Sequence, residues 1–123
     1  MGKRVLIVDD NEDAAEAVAA LLESVGHEAR TATSGRAALQ EARQWLPDAM
    51  ILDIGLPDMD GYELAQAVTA EGFVPAPRLI ALSGYGMPSD LQRARQAGFA
   101  RHLLKPADPD VLFALIEEAE VSG

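Results

Sequence analysis

The chain has 123 residues, 49% of them hydrophobic and 24% charged, no cysteine, and a formal net charge of −10. That is the size of one domain, residues 1–123, able to bury roughly two-thirds of its unfolded surface without disulfide or metal staples. The acidity argues against direct nucleic-acid binding, which needs clustered Lys and Arg, and no apolar run approaches the roughly 20 residues of a membrane-spanning helix.

Arg4-Val5-Leu6-Ile7-Val8 predicts a first strand that stops at Asp9-Asp10-Asn11, residue types suited to capping a helix and poor inside one. Two acids so soon after Lys3-Arg4 also rule out a secretory leader, and with zero cysteines the expectation is a cytoplasmic protein with no membrane insertion. Ala14, Val18, Leu21, Leu22 and Val25 recur at helical spacing, and Gly26 follows where a left-handed cap is expected. His27 to Ala32 reads as a weak edge strand, with His27 at the surface. Ser34-Gly35 opens a second helix whose stripe is Ala38, Ala42 and Trp45, the last covering its end before Pro47.

Ala49 to Leu52 is an unbroken apolar run ending in Asp53, as expected of a strand covered on both faces. A turn-rich loop, Gly55 to Gly61, precedes a third helix with Leu64, Ala65 and Val68 inward, and Gly72 to Pro77 must be irregular. Arg78 to Leu82 predicts a fourth strand that leads into Ser83-Gly84-Tyr85-Gly86. Pro88-Ser89-Asp90 starts a helix closed by Gly98, His102-Leu103-Leu104 is a short fifth strand ending at Lys105-Pro106, and Asp108-Pro109 caps a last helix. Its stripe is Val111, Leu112, Leu115, Ile116 and Ala119.

Strands alternating with helices imply right-handed βαβ units, hence an α/β fold with a parallel sheet between helices. Such a sheet gathers its strands' carboxyl ends at one edge, so Asp9, Asp10, Asp53, Ser83 and Lys105 converge there. Three close carboxylates repel unless a cation joins them, and an all-oxygen set with room for water suits Mg²⁺. Lys105 and the Ser83 hydroxyl suit a phosphoryl group, and Asp53 is the natural nucleophile.

Taken in this order and spacing, Val5-Leu6-Ile7-Val8-Asp9-Asp10, Ile51-Leu52-Asp53 with Leu56-Pro57-Asp58-Met59-Asp60-Gly61, Ala81-Leu82-Ser83-Gly84 and Leu104-Lys105-Pro106 resemble a response-regulator receiver domain of two-component signalling, over essentially the whole chain. The resemblance implies a flavodoxin-like (βα)5 doubly wound sandwich with strand order 2-1-3-4-5. It implies Asp53 as phosphoacceptor; Asp10, Asp53 and the Gly55 backbone carbonyl as Mg²⁺ ligands, with Mn²⁺ able to substitute; Asp9 reaching the metal through water; and Ser83 with Lys105 on the phosphoryl group. It further implies a cis Lys105-Pro106 bond, a sensor histidine kinase or histidine phosphotransfer protein as donor, and an output partner on the face built from the helix near 88–97, the fifth strand and the last helix.

On this reading the chain is a signalling domain, not an enzyme, and acts only on its own phosphorylation state. His102 departs from the family pattern, since the position three before the lysine usually holds Tyr or Phe and acts with Ser83 as the switch pair. Ser83-Gly84-Tyr85-Gly86 with His102 is similar to receivers attached to hybrid histidine kinases.

Rival readings are a pseudo-receiver that only scaffolds partners and a metal-dependent phosphohydrolase with an Asp nucleophile. The first would be expected to have lost an acid or the lysine. The second would carry its nucleophile after the first strand. A flavin protein would not place Asp9-Asp10 against a phosphate, and no G-x-G-x-x-G follows the first strand. The blandest reading is that Asp9 and Asp10 merely cap the first helix, Ser83 satisfies a turn, and Lys105 is an ordinary surface lysine.

Overall fold

A computed structural model of the chain describes residues 2–54, 56, 58–83, 92, 96–104 and 108–121, with Ser83 and residues 118–121 described by their backbone alone. In chain order the elements are β1 (Arg4–Val8), α1 (Glu12–Ser24), β2 (Glu28–Ala32), α2 (Gly35–Trp45), β3 (Ala49–Asp53), α3 (Gly61–Ala70), β4 (Arg78–Ser83), β5 (Arg101–Leu104) and α4 (Pro109–Val121). All strand pairs are parallel, and the sheet order is β2-β1-β3-β4-β5. The helix expected near 88–97 lies largely outside the described residues; Gln92, Gln96 and Ala97 within it are helical.

Successive residues of a strand point to opposite faces, and the three inner strands β1, β3 and β4 split between two cores accordingly. Leu6, Val8, Met50, Leu52, Leu79 and Ala81 face α2 and α3, which contribute Ala38, Ala42, Trp45, Leu64, Ala65 and Val68. Val5, Ile7, Ala49, Ile51, Ile80 and Leu82 face α1 and α4, met by Ala15, Ala19, Leu22, Leu112 and Ile116. Every residue of β3 is buried, which is why its sequence reads as a continuous apolar run up to Asp53. Edge strand β2 is mostly exposed, and its sequence is correspondingly mixed.

Three expectations need correction. The buried stripe of α1 is Ala15, Ala19 and Leu22; Leu22 is buried as expected, but Ala14, Val18 and Leu21 are half-buried and Val25 is exposed. Alanines at 15 and 19 let the helix axis lie close to the sheet, so the larger Val18 and Leu21 rest beside the contact instead of in it. Val111 of α4 is likewise exposed while Leu112 and Ile116 are fully buried. His27 is buried, not at the surface: its Nδ1 accepts the Lys3 backbone N–H at 3.0 Å and ties the entry of β1 to that of β2. That bond satisfies one of its nitrogens, while the other, Nε2, is buried without a hydrogen-bond partner among the described residues. Trp45 closes the end of α2 as expected, with the Arg30 guanidinium 4.7 Å over its ring.

Candidate functional site

The site is built where the two central strands end. Val8 pairs with Leu52, so Asp9 and Asp53 leave the sheet side by side. Asp9 is 2% exposed and Asp53 6%, while Asp10 is exposed. One carboxylate oxygen from each of the three lies within 4.8 Å of the others. Two of these acids are buried and one is open to solvent.

The bland capping reading has a direct check, because α1 has its own cap. The Asn11 side chain accepts the Ala14 N–H at 3.1 Å, and Asn11 is the residue with extended backbone at the helix start. Asp9 takes the Asn11 N–H at 2.9 Å, fixing the turn between the acids and the helix. Helix capping therefore accounts for Asn11 and does not require Asp10.

Asp53 pairs in register with Leu82, and Ser83, one residue further on, pairs with Leu104. The backbones of Ser83 and Leu104 thus reach the same edge as the aspartates. The Ser83 side chain, Gly55 and the Lys105-Pro106 bond lie outside the described residues. His102 is half-buried on β5 opposite Ala81, on the α2 and α3 side of the sheet.

The loop that follows Asp53 is held at both ends. The Ile54 N–H continues the ladder to the Leu82 carbonyl at 3.2 Å, and the Gly61 N–H closes the loop on the Ile54 carbonyl at 2.8 Å. Gly61 has to be glycine for this approach: a Cβ there would stand 2.7 Å from the Asp53 carbonyl oxygen and 2.8 Å from the Ile54 Cα. Asp60 then caps α3, accepting the Glu63 N–H at 2.8 Å.

Two roles were not read from the sequence. Asp60 as a cap had a signal, an Asp three residues before a Glu at a helix start. Asp58 had none: its carboxylate accepts the backbone N–H of Gly35 at 2.9 Å and of Arg36 at 3.1 Å, more than twenty residues away in the chain. Those two bonds, Gly35 first, hold the Asp58 carboxyl below the usual aspartate range.

The donor set fits a hard divalent cation. It is all oxygen, carries three negative charges, and leaves a side open for water or a phosphoryl group, which suits Mg²⁺ better than a softer metal. Fold and site together define an α/β doubly wound domain with an acidic pocket at the β1/β3 switch point, where the strand order reverses.

The chain belongs to the response regulator receiver domain family, whose pattern matches residues 5–117. It is 34% identical over 106 residues, 86% of each chain, to the polar-differentiation response regulator DivK of Brucella ovis. Among solved structures it is similar to the chemotaxis protein CheY4 of Vibrio cholerae, with a TM-score of 0.90, 28% identity, and coverage of 97% of this chain and 99% of that one. A putative response regulator from Chloroflexus aurantiacus has a TM-score of 0.89 and 34% identity, covering 97% and 98%. The expected fold and family are borne out. Receiver domains are phosphoacceptor signalling domains of two-component systems that meet histidine kinases, phosphotransfer proteins and downstream effectors, and typically bind Mg²⁺ at an acidic pocket. Among the described residues no helix is long and apolar enough to cross a membrane.

Proposed function

We propose that residues 1–123 act as one receiver domain that takes a phosphoryl group onto the Asp53 carboxylate from a sensor histidine kinase or a histidine phosphotransfer protein. The observation that carries this is the gathering of three carboxylates from two distant segments within 4.8 Å, with two of them buried at a cost that capping does not explain. Asp10, Asp53 and the Gly55 carbonyl would hold Mg²⁺ or Mn²⁺ directly, with Asp9 acting through water. The cation supplies positive charge against the phosphoryl oxygens.

In the transfer, an Asp53 carboxylate oxygen forms the new O–P bond as the donor's P–N bond breaks. The bonding pair leaves with the donor imidazole. Ser83, and Lys105 next in sequence after β5, would bind phosphoryl oxygens and neutralise charge developing on them. Asp9 is held in place by the Asn11 N–H, which donates to its carboxylate at 2.9 Å. No diffusible substrate is turned over: the chain acts only on its own phosphorylation state. Phosphorylation shifts a two-state equilibrium through Ser83 and His102, changing affinity for an output partner on the face of the 88–97 segment, β5 and α4. Leu104 and Val111, 52% and 46% exposed, give that face apolar contacts. The protein works in the cytoplasm, without touching nucleic acid.

The test is intact mass after incubation with a small acyl phosphate. One phosphoryl adduct that needs Mg²⁺ to form, does not form when chelator is present from the start and is missing from Asp53→Asn is expected. Equal uptake by that variant removes Asp53 from its role.

A further inference from the structure

We propose that Asp58 is a positioning residue for the cation pocket: its carboxylate, bonded to the first two N–H groups of α2, closes a ring of bonds that links the Asp53 loop to the strand end carrying Asp9. The inference rests on the reading of the aspartate cluster as a cation pocket and names a residue outside it that sets its geometry.

The ring can be followed bond by bond. The Asp9 N–H donates to the carbonyl of Ala32, the last residue of β2, at 3.1 Å. Three residues later comes Gly35, whose N–H, with that of Arg36, donates to Asp58. From Asp58 the chain runs back to Asp53 through the loop that Gly61 closes on Ile54. The two buried carboxylates, which repel each other at close range, are thus linked through the fold by this path of hydrogen bonds and chain.

Two features show that Asp58 is fitted to α2 and not resting on it. The first turn of α2 holds no acid of its own, so Asp58 supplies from the loop the negative charge that a helix N-terminus favours. Ser34 takes a different donor, the Ala37 N–H at 3.1 Å, so the two caps share the free N–H groups without overlap. Next to it, Met59 seats against Gly35, where a Cβ would come within 2.7 Å of its Sδ. Residues 58 and 59 therefore pin the loop to α2 by one polar and one apolar contact.

Opening the ring at Asp58 leaves the loop held at its ends and by the apolar Met59 contact alone, so the Asp9 to Asp53 spacing should broaden. Outer partners that orient metal-binding groups change affinity by about tenfold or more when removed. Calorimetric Mg²⁺ titration should show Asp58→Ala binding about tenfold more weakly than wild type, with Asp58→Asn, which keeps one acceptor oxygen, in between. Ser34→Ala removes the other cap of the same helix, so it should lower the melting temperature and leave Mg²⁺ affinity unchanged. Equal affinity in wild type and Asp58→Ala overturns the inference, as does a loss in Ser34→Ala matching that in Asp58→Ala. Weaker Mg²⁺ binding in Asp58→Ala beside a wild type that takes no phosphoryl group would uphold the ring and sink the phosphoacceptor reading. Normal uptake with equal affinities would do the reverse.

Discussion

The loops after β1 and β3 deliver acids to the same pocket by different means. The first is three residues long, Asp9-Asp10-Asn11, and its side chains bond locally, Asp9 to Asn11 and Asn11 to the helix that follows, beside one backbone bond from Asp9 to Ala32. The second runs over 54–60 and borrows its support, closing on its own strand through Gly61 and reaching α2 through Asp58. A short turn can be rigid by mostly local bonds, whereas a longer loop carrying one end of a charged site needs anchors from elsewhere in the fold.

The contrast breaks most visibly at Gly61. Gly61→Ala drives a Cβ into the backbone of Asp53 and Ile54, which cannot yield as a side-chain tip would, so a loss of about 1 to 3 kcal/mol in chemical denaturation is expected. A variant as stable as wild type would mean the loop tolerates displacement after all. In the short loop, Asn11→Ala should cost about 1 kcal/mol, the ordinary value of an N-cap. Because the Asn11 cap itself does not touch α2, the melting temperature should fall while α2 keeps its hydrogen-exchange protection; loss of protection in α2 would contradict the separation.

Charge repulsion between the loops gives a comparable effect of opposite sign. Asp10→Asn removes one of three mutually close charges and should raise stability without divalent ions by on the order of 1 kcal/mol. Adding Mg²⁺ should then stabilise wild type more than the variant, as thermal melts with and without the ion would read. Equal gains would argue that Asp10 does not meet the cation.

The smallest effect is the pH response of the borrowed anchor. Asp58 is held below its ordinary range by the Gly35 and Arg36 N–H groups. Its stabilisation is therefore complete above the usual aspartate range and is lost as pH falls through the lowered value. The stability gap between wild type and Asp58→Ala should be constant near neutrality and close in acid. A gap that widened in acid would have the wrong sign.

The same two loops mark what was legible in the sequence. Asp9, Asp10 and Asp53 could be read because each ends an apolar run, and a parallel sheet brings such ends together. Strand order came from the family resemblance and not from periodicity. The Asp58 contact could not be read, since its partners are backbone N–H groups that any sequence at 35 and 36 would offer. The α1 stripe departs from expectation because apolar size and burial part company where alanines face the sheet. His27 misled because a lone polar residue beside a weak strand gives no sign that a backbone N–H from Lys3 will satisfy it.

The most direct measurement on the account's central claim is the location of the phosphoryl group. Borohydride reduction of the phosphorylated protein converts an aspartyl phosphate to homoserine, which tandem mass spectrometry of the peptides can place. Homoserine at position 53 alone, and only in samples phosphorylated with Mg²⁺, is the predicted result; homoserine at position 9 or 10, or at none of the three, would contradict it.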